Sequence, residues 1–282
     1  MLATNASSAA LSALPMLAML LYFCVGLLAF GVRSLIWGMP HDREIESRGQ
    51  SVLVTLFLRN YFIWVTRPLW RLLVASGVSA NVVTGFAAAL GVASGVAVAA
   101  GWFALGGWLF LFSGIFDAMD GRLARARGSA APAGTVVDSV MDRYTDSIFM
   151  IGLCWRFRAS WLLAPTLAAL LGTSLVPYVR AKAEAVGVRL RGGLMQRPER
   201  ILYLGGALVF TPVLDLALGG RDSRPFPPLV ALGIIFLAVT TNLTAIQRIL
   251  GLLRAVSRAP RVEPQQQNTG PAHPGQLSPR HP

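Results

Sequence analysis

Five aspartates stand where an apolar chain should carry almost none. Asp117 and Asp120 close one long apolar run, and Asp138, Asp142 and Asp146 open the next. The first two are three residues apart and the others follow every fourth position, so on helices each group lines one face. A charged side chain at the centre of a bilayer costs at least ~2.5 kcal/mol, which marks all five as functional candidates. The segment from Arg127 to Val136 is short enough for the two acidic faces to meet at one depth. Carboxylates that converge must either share protons or bind divalent cations. An all-oxygen donor set favours a hard ion, Mg²⁺ or Mn²⁺, and the lack of His or Cys nearby argues against zinc. Gly121, Ala124, Gly128 and Gly134 surround the acids. Such small residues either clear space for a bulky ligand against the backbone or let helices pack closely. Arg122, Arg125 and Arg127 add positive charge for an anion. Acids, small residues and arginines together describe a metal-bridged phosphate site.

The elements that must position these residues follow from composition. Of 282 residues, 54% are apolar and only 13% charged, with a mean hydropathy of +0.57. A soluble domain carries about 25% charged residues, so an ordinary soluble enzyme, a disordered chain and a disulfide-stapled secreted domain are all excluded. Seven apolar segments can cross a bilayer. The first is Leu11–Val32, within a stretch free of charge from residue 1 to residue 32. It lacks the basic lead of a signal peptide and reads as a retained span. Leu72–Phe116 is wholly uncharged; with Gly101 and Gly106-Gly107 late in it, it reads as two spans and a tight hairpin. Val136–Trp155, Ala159–Val179, Ile201–Leu218 and Pro225–Leu250 complete the set. Backbone groups in hydrocarbon must bond internally, so every span is expected to be helical. Between His41–Arg48, which is polar, and the second span, Val52–Leu73 mixes arginines with Tyr61, Trp64 and Trp70, the pattern of one amphipathic helix in the interface plane.

The expected fold is therefore all-α and integral to the membrane: a six-helix transmembrane bundle, an interfacial amphipathic helix and one extra N-terminal span. The expected divisions are 1–38 for the extra span, 39–78 for the polar stretch and interfacial helix, 79–258 for the core, and 259–282 for a disordered tail. Lys and Arg number 25 against 13 acids. That excess fits the inside-positive rule better than nucleic-acid binding: with the N-terminus outside, only Arg156, Arg158, Arg221 and Arg224 face outward. The remaining 21 basic residues lie on the cytoplasmic side, so the acidic site faces the cytoplasm of the inner membrane. Trp102, Trp108, Trp155 and Trp161 are read as outer-interface anchors, and Asp146 as a partner for Arg143, a second-shell water or a helix-end ion pair. A divalent-cation transporter is the competing class. It predicts acids spread along several spans, whereas these cluster at one end beside Arg125 and Arg143.

The string Asp117-Ala-Met-Asp120-Gly121-Arg-Leu-Ala124-Arg125, then eight residues, then Gly134-Thr-Val-Val-Asp138-Ser-Val-Met-Asp142, resembles the signature of the CDP-alcohol phosphatidyltransferase family. Asn81 and Thr84 also resemble the family's residues at the start of that span, with Ala80 where a proline is common. The likeness covers roughly Val52–Arg254. It implies that Asp117, Asp120 and Asp138 bind metal, with Asp142 near a second ion and acting as general base. It implies that Asn81, Thr84, Gly121, Ala124 and Arg125 line the pocket for the cytidine diphosphate of CDP-diacylglycerol. Two Mg²⁺ or Mn²⁺ ions, CMP as leaving group, a small polar alcohol as acceptor and a homodimer are further implications.

Pro177-Tyr-Val-Arg180-Ala-Lys182-Ala-Glu184 and Gly192-Gly-Leu-Met-Gln-Arg197-Pro-Glu-Arg200 resemble the family branch that uses inositol phosphate. By that likeness Arg180, Lys182 and Arg200 bind the acceptor's phosphate. The branch usually has serine at the place of Pro177 and arginine at that of Lys182; lysine keeps the charge and loses the bidentate fork. Glycerol 3-phosphate, also anionic, is the alternative acceptor.

Overall fold

The computed structural model describes residues 2–38, 56–129, 131–188, 190, 193–218 and 226–258. All secondary structure among them is helical. In chain order the helices are α1 (Leu2–Trp37), α2 (Leu56–Val65), α3 (Arg67–Ala75), α4 (Ala80–Ala99), α5 (Phe103–Ala126), α6 (Pro132–Arg156), α7 (Leu163–Ala185), α8 (Arg197–Ala217) and α9 (Pro228–Arg258). Among the described residues, four helical segments are long and apolar enough to cross a membrane: Ala18–Trp37, Ala80–Ala99, Phe103–Ala126 and Pro228–Arg258. The polar stretch His41–Arg48, the first residues of the interfacial segment, the loop with Arg221, Asp222 and Arg224, and the tail 259–282 lie outside the described residues.

Helices α4 to α9 pack as one bundle: α4 on α5 and α6, α5 on α8, α6 on α7, and α9 on α7 and α8. Apolar attraction between helices is weak in lipid, so close backbone approach has to hold such a bundle together. Glycine provides that approach. A methyl group on Gly152 of α6 would collide with the Gly95 carbonyl oxygen of α4, and one on Gly107 of α5 would stand 2.8 Å from the Gly205 carbonyl oxygen of α8. Phe110 and Phe149 stack between α5 and α6 with centroids 3.9 Å apart.

Three sequence expectations change. The hairpin between α4 and α5 turns at Gly101 alone, where φ is +86°; Gly106 and Gly107 lie inside α5 and serve packing. The segment expected to form one interfacial helix is two. Pro68 has no N–H for the carbonyl one turn back, so the helix ends at Val65 and restarts at Arg67. Trp108 is not an interface anchor. It is buried and stacks on Phe23 of α1 at 5.9 Å, whereas Trp102, Trp155 and Trp161 are each more than half exposed.

Helix α1 leans against α2. Phe30 is fully buried among Phe57, Tyr61 and Trp64, the Tyr61 hydroxyl donates to the Phe23 carbonyl at 2.5 Å, and Tyr22 donates to the Val65 carbonyl at 3.0 Å.

Candidate active site

The last turns of α5 and the first turns of α6 form the site, joined by a turn at Gly128 with φ +62°. One carboxylate oxygen from each of Asp117, Asp120 and Asp138 lies within 4.8 Å of the other two. Asp120 is 4% exposed and accepts a hydrogen bond of 2.6 Å from the Thr84 hydroxyl on α4. Thr84 therefore orients a carboxylate, in addition to standing one turn after Asn81, which is exposed in the first turn of α4. Three oxygen donors gathered this closely, with no nitrogen or sulfur donor among them, fit a hard divalent cation.

The other part of the acidic face is compensated differently. Arg197, at the start of α8, pairs with Asp117, with Asp142 at 2.9 Å and with Asp146 at 3.4 Å. Arg200, one turn on, reaches Asp146 at 3.4 Å and donates to the Thr173 carbonyl at 3.2 Å. Asp146 is thus tied to α8; Arg143 instead bonds the Ser139 carbonyl of its own helix. Arginine from a third helix is a solution to carboxylate crowding beyond protonation and metal binding. The patch divides into a three-aspartate cage and an arginine-paired end, with Asp117 belonging to both.

Arg197 was not among the residues expected at the site. A signal for it exists: Gln196 and Glu199 form a capping pair, the Gln196 N–H donating to Glu199 at 3.0 Å. That places the first turn of a helix at Arg197 and points Arg197 and Arg200, three apart, to one side.

The small residues of the motif do not serve helix packing. A methyl group on Gly134 would meet nothing within 4 Å, and one on Gly121 only the Arg125 guanidinium at 3.5 Å. Ala124 is half-buried and Arg125 exposed, one turn after Gly121 on the open side of α5. Arg127 is not free for an anion, as the sequence alone suggested. Its guanidinium binds the carbonyls of Leu73, Val74, Gly77 and Val78 and so ties the end of α3 and the turn after it to the end of α5. Arg122 lies over the Trp70 ring of α3 at 5.3 Å.

The three expected acceptor residues have different surroundings, although Arg180 and Arg200 both lie near Arg248. Arg200 is buried beside Asp146. Arg180 is exposed and pairs with Glu184 of its own helix at 2.9 Å, and Lys182 lies 5.8 Å from the Tyr178 ring. Behind Arg200, a cavity of about 10 Å³ is bordered by Asp146 and Thr173, room for roughly one water molecule.

A bundle of apolar helices with a divalent-cation cage and paired arginines at one end defines a membrane-embedded enzyme acting on phosphate groups. The chain belongs to the CDP-alcohol phosphatidyltransferase family, whose pattern matches residues 77–256. It is similar to the phosphatidylinositol phosphate synthase of Mycobacteroides abscessus, 36% identical over 160 residues that span 54% of this chain and 72% of the relative. It is also similar to two crystal structures of the Mycobacterium tuberculosis phosphatidylinositol phosphate synthase. One, with CDP-DAG bound, is 30% identical with a TM-score of 0.56, covering 66% of this chain and 92% of that one. The other, in complex with manganese and citrate, is 30% identical with a TM-score of 0.57, covering 67% and 88%. The chain is thus a phosphatidyltransferase of phospholipid biosynthesis, and the cluster of Asp117, Asp120 and Asp138 fits a divalent-cation site.

Proposed function

We propose that the chain transfers a phosphatidyl group from CDP-diacylglycerol to a hydroxyl of inositol phosphate, releasing CMP. The observation that carries this reading is the division of the acidic patch, a cage suited to metal beside the half-buried Arg197 and the buried Arg200, which suit a second anion. The similarity to phosphatidylinositol phosphate synthases supports the same acceptor.

Asp117, Asp120 and Asp138 would hold the cation, Thr84 fixing Asp120, with Asp142 at the edge for a second ion. Dications held there would neutralise the pyrophosphate and make CMP a workable leaving group. Asn81, Gly121, Ala124 and Arg125 receive the nucleotide, the open side of α5 giving it room. Asp142, held by Arg197, takes the proton of the acceptor hydroxyl as that oxygen bonds to the β-phosphorus and the bond from phosphorus to CMP breaks. Positioning and electrostatics dominate such a transfer. Arg200, with Arg197 beside it, and the exposed Arg180 and Lys182 supply cationic charge for the acceptor's phosphate.

This end of the bundle faces the cytoplasm of the inner membrane, a placement supported by the distribution of basic residues along the sequence. The transferase core spans 79–258, preceded by an accessory span over 1–38 and the interfacial region 39–78, and followed by the tail 259–282. Assembly as a homodimer belongs to the same reading.

Membranes containing the protein, given CDP-diacylglycerol, Mn²⁺ and each labelled acceptor in turn, test the reading. Label is expected to enter lipid from inositol phosphate. Labelling from glycerol 3-phosphate alone would replace the acceptor, and labelling from serine alone would overturn the anionic pocket.

A further inference from the structure

The family match begins at residue 77, so α1, α2 and α3 precede it. One buried ion pair nevertheless ties them to the site. Arg59 of α2 meets Glu199 of α8 at 3.4 Å, and the Glu199 side chain is 1% exposed. The other oxygen of Glu199 accepts the Gln196 N–H, which closes the first turn of the helix that presents Arg197 and Arg200. Glu199 stands between those two arginines in sequence. A buried carboxylate stripped of its counter-charge is costly and draws on whatever cation is nearest. Without Arg59, Arg200 one residue on is close enough to feel that charge.

We infer that Arg59 is a positioning residue for the acceptor-binding arginines, holding Glu199 on α2 so that Arg197 and Arg200 stay directed at the site, and that α1 acts as the brace that keeps Arg59 in place. The brace is visible in two reciprocal bonds. Tyr61, two residues after Arg59, donates to the Phe23 carbonyl of α1, and Tyr22 of α1 donates to the Val65 carbonyl, at the α2–α3 break. Phe30 packs against Phe57, Tyr61 and Trp64 on the same helix. The extra N-terminal span thereby gains a role in acceptor affinity without touching the substrate.

The inference rests on the reading of Arg200 as an acceptor-binding residue. The test uses the full chain in membranes and measures KM for CDP-diacylglycerol and for whichever acceptor the parent protein uses. Arg59→Gln is expected to raise the acceptor KM about tenfold and to lower the unfolding temperature in detergent, while the CDP-diacylglycerol KM stays at the parent value. Arg59→Lys is expected to restore most of the loss, and Tyr61→Phe to give a smaller shift of the same kind. The double variant Arg59→Gln with Glu199→Gln, which removes the stranded carboxylate, is expected to recover part of the acceptor affinity. Equal shifts in both KM values, or none in either, would overturn the inference. A parent protein that ignores every anionic acceptor would overturn the functional reading instead, before any Arg59 variant is compared.

Discussion

The packed interior of the bundle and its aspartate-bearing end use the same residue for opposite purposes. Along the α4–α6 and α5–α8 seams, glycine removes side chains so that backbones can touch: Gly95 against Gly152, Gly107 against Gly205. At the α5–α6 end, Gly121 and Gly134 face open space. Polar groups divide in the same way. In the packed part, side-chain hydroxyls satisfy neighbouring backbone, as Ser94 does at the Gly106 carbonyl (2.7 Å) and Ser113 at that of Ala87 (2.8 Å). At the site, carboxylates meet other charges: Asp117, Asp142 and Asp146 meet Arg197, and Asp117 also meets Asp120 and Asp138. One region is closed by what it leaves out and the other is held ready by what it leaves unneutralised. A residue type therefore says little about purpose until its surroundings are known.

The largest expected effect lies wholly in the site. Asp142→Asn keeps the shape and a polar group facing Arg197 but removes the proposed proton acceptor. We expect turnover to fall by about 10³-fold, the range of a lost general base, with Mn²⁺ binding by calorimetry and the unfolding temperature close to those of the parent. An active Asp142→Asn protein would remove the base assignment. A protein that loses Mn²⁺ binding as well would move Asp142 fully into the cage.

The next effect belongs to the packed region. In a helix, Gly→Ala ordinarily gains up to about 1 kcal/mol. At Gly152 the new methyl group would run into the backbone of Gly95, which cannot rotate away. Overpacking costs about 1–3 kcal/mol, so the clash wins and Gly152→Ala is expected to lower the unfolding temperature and the yield of folded protein. An unfolding temperature at or above the parent's would show that the seam can open.

These contrasts explain what could be read from the chain beforehand. Four of the seven expected spans were legible, at α1, α4, α5 and α9, because bilayer thickness imposes a length and an absence of charge. The aspartates were legible because charge is rare there, and the spacing of Asp117 and Asp120 and of Asp138, Asp142 and Asp146 placed each group on one face. The sense of each glycine was not legible, since Gly152 and Gly121 look alike until the neighbouring helix is known. Nor was the role of Arg197. Local sequence places it in an inside-positive loop, and only the packing of α8 against α5 turns it into a counter-charge. The break at Pro68 was readable in principle from the missing N–H, but arginine and tryptophan periodicity on both sides masks it. Trp108 misled for a related reason: its place in the sequence marks an interface, but the added α1 covers it.

The smallest effect is the most discriminating, because it makes the same change as at Gly152 in the other region. Gly121→Ala adds a methyl group on the open side of α5, where it would meet the Arg125 guanidinium at 3.5 Å, an ordinary contact. Nothing there resists it, and the helix gains rather than loses, so the unfolding temperature is expected to stay level or rise. Activity is expected to fall about tenfold, seen chiefly as a higher KM for CDP-diacylglycerol, since clearance beside Asp120 is what the nucleotide requires. If stability falls instead, Gly121 is a packing glycine and the open face is closed in the membrane. If neither stability nor KM moves, the nucleotide does not lie against α5 at this turn. Only the pairing of a destabilised, still-selective Gly152→Ala with a stable, weakly binding Gly121→Ala preserves the division between a region built for contact and a region built for a ligand.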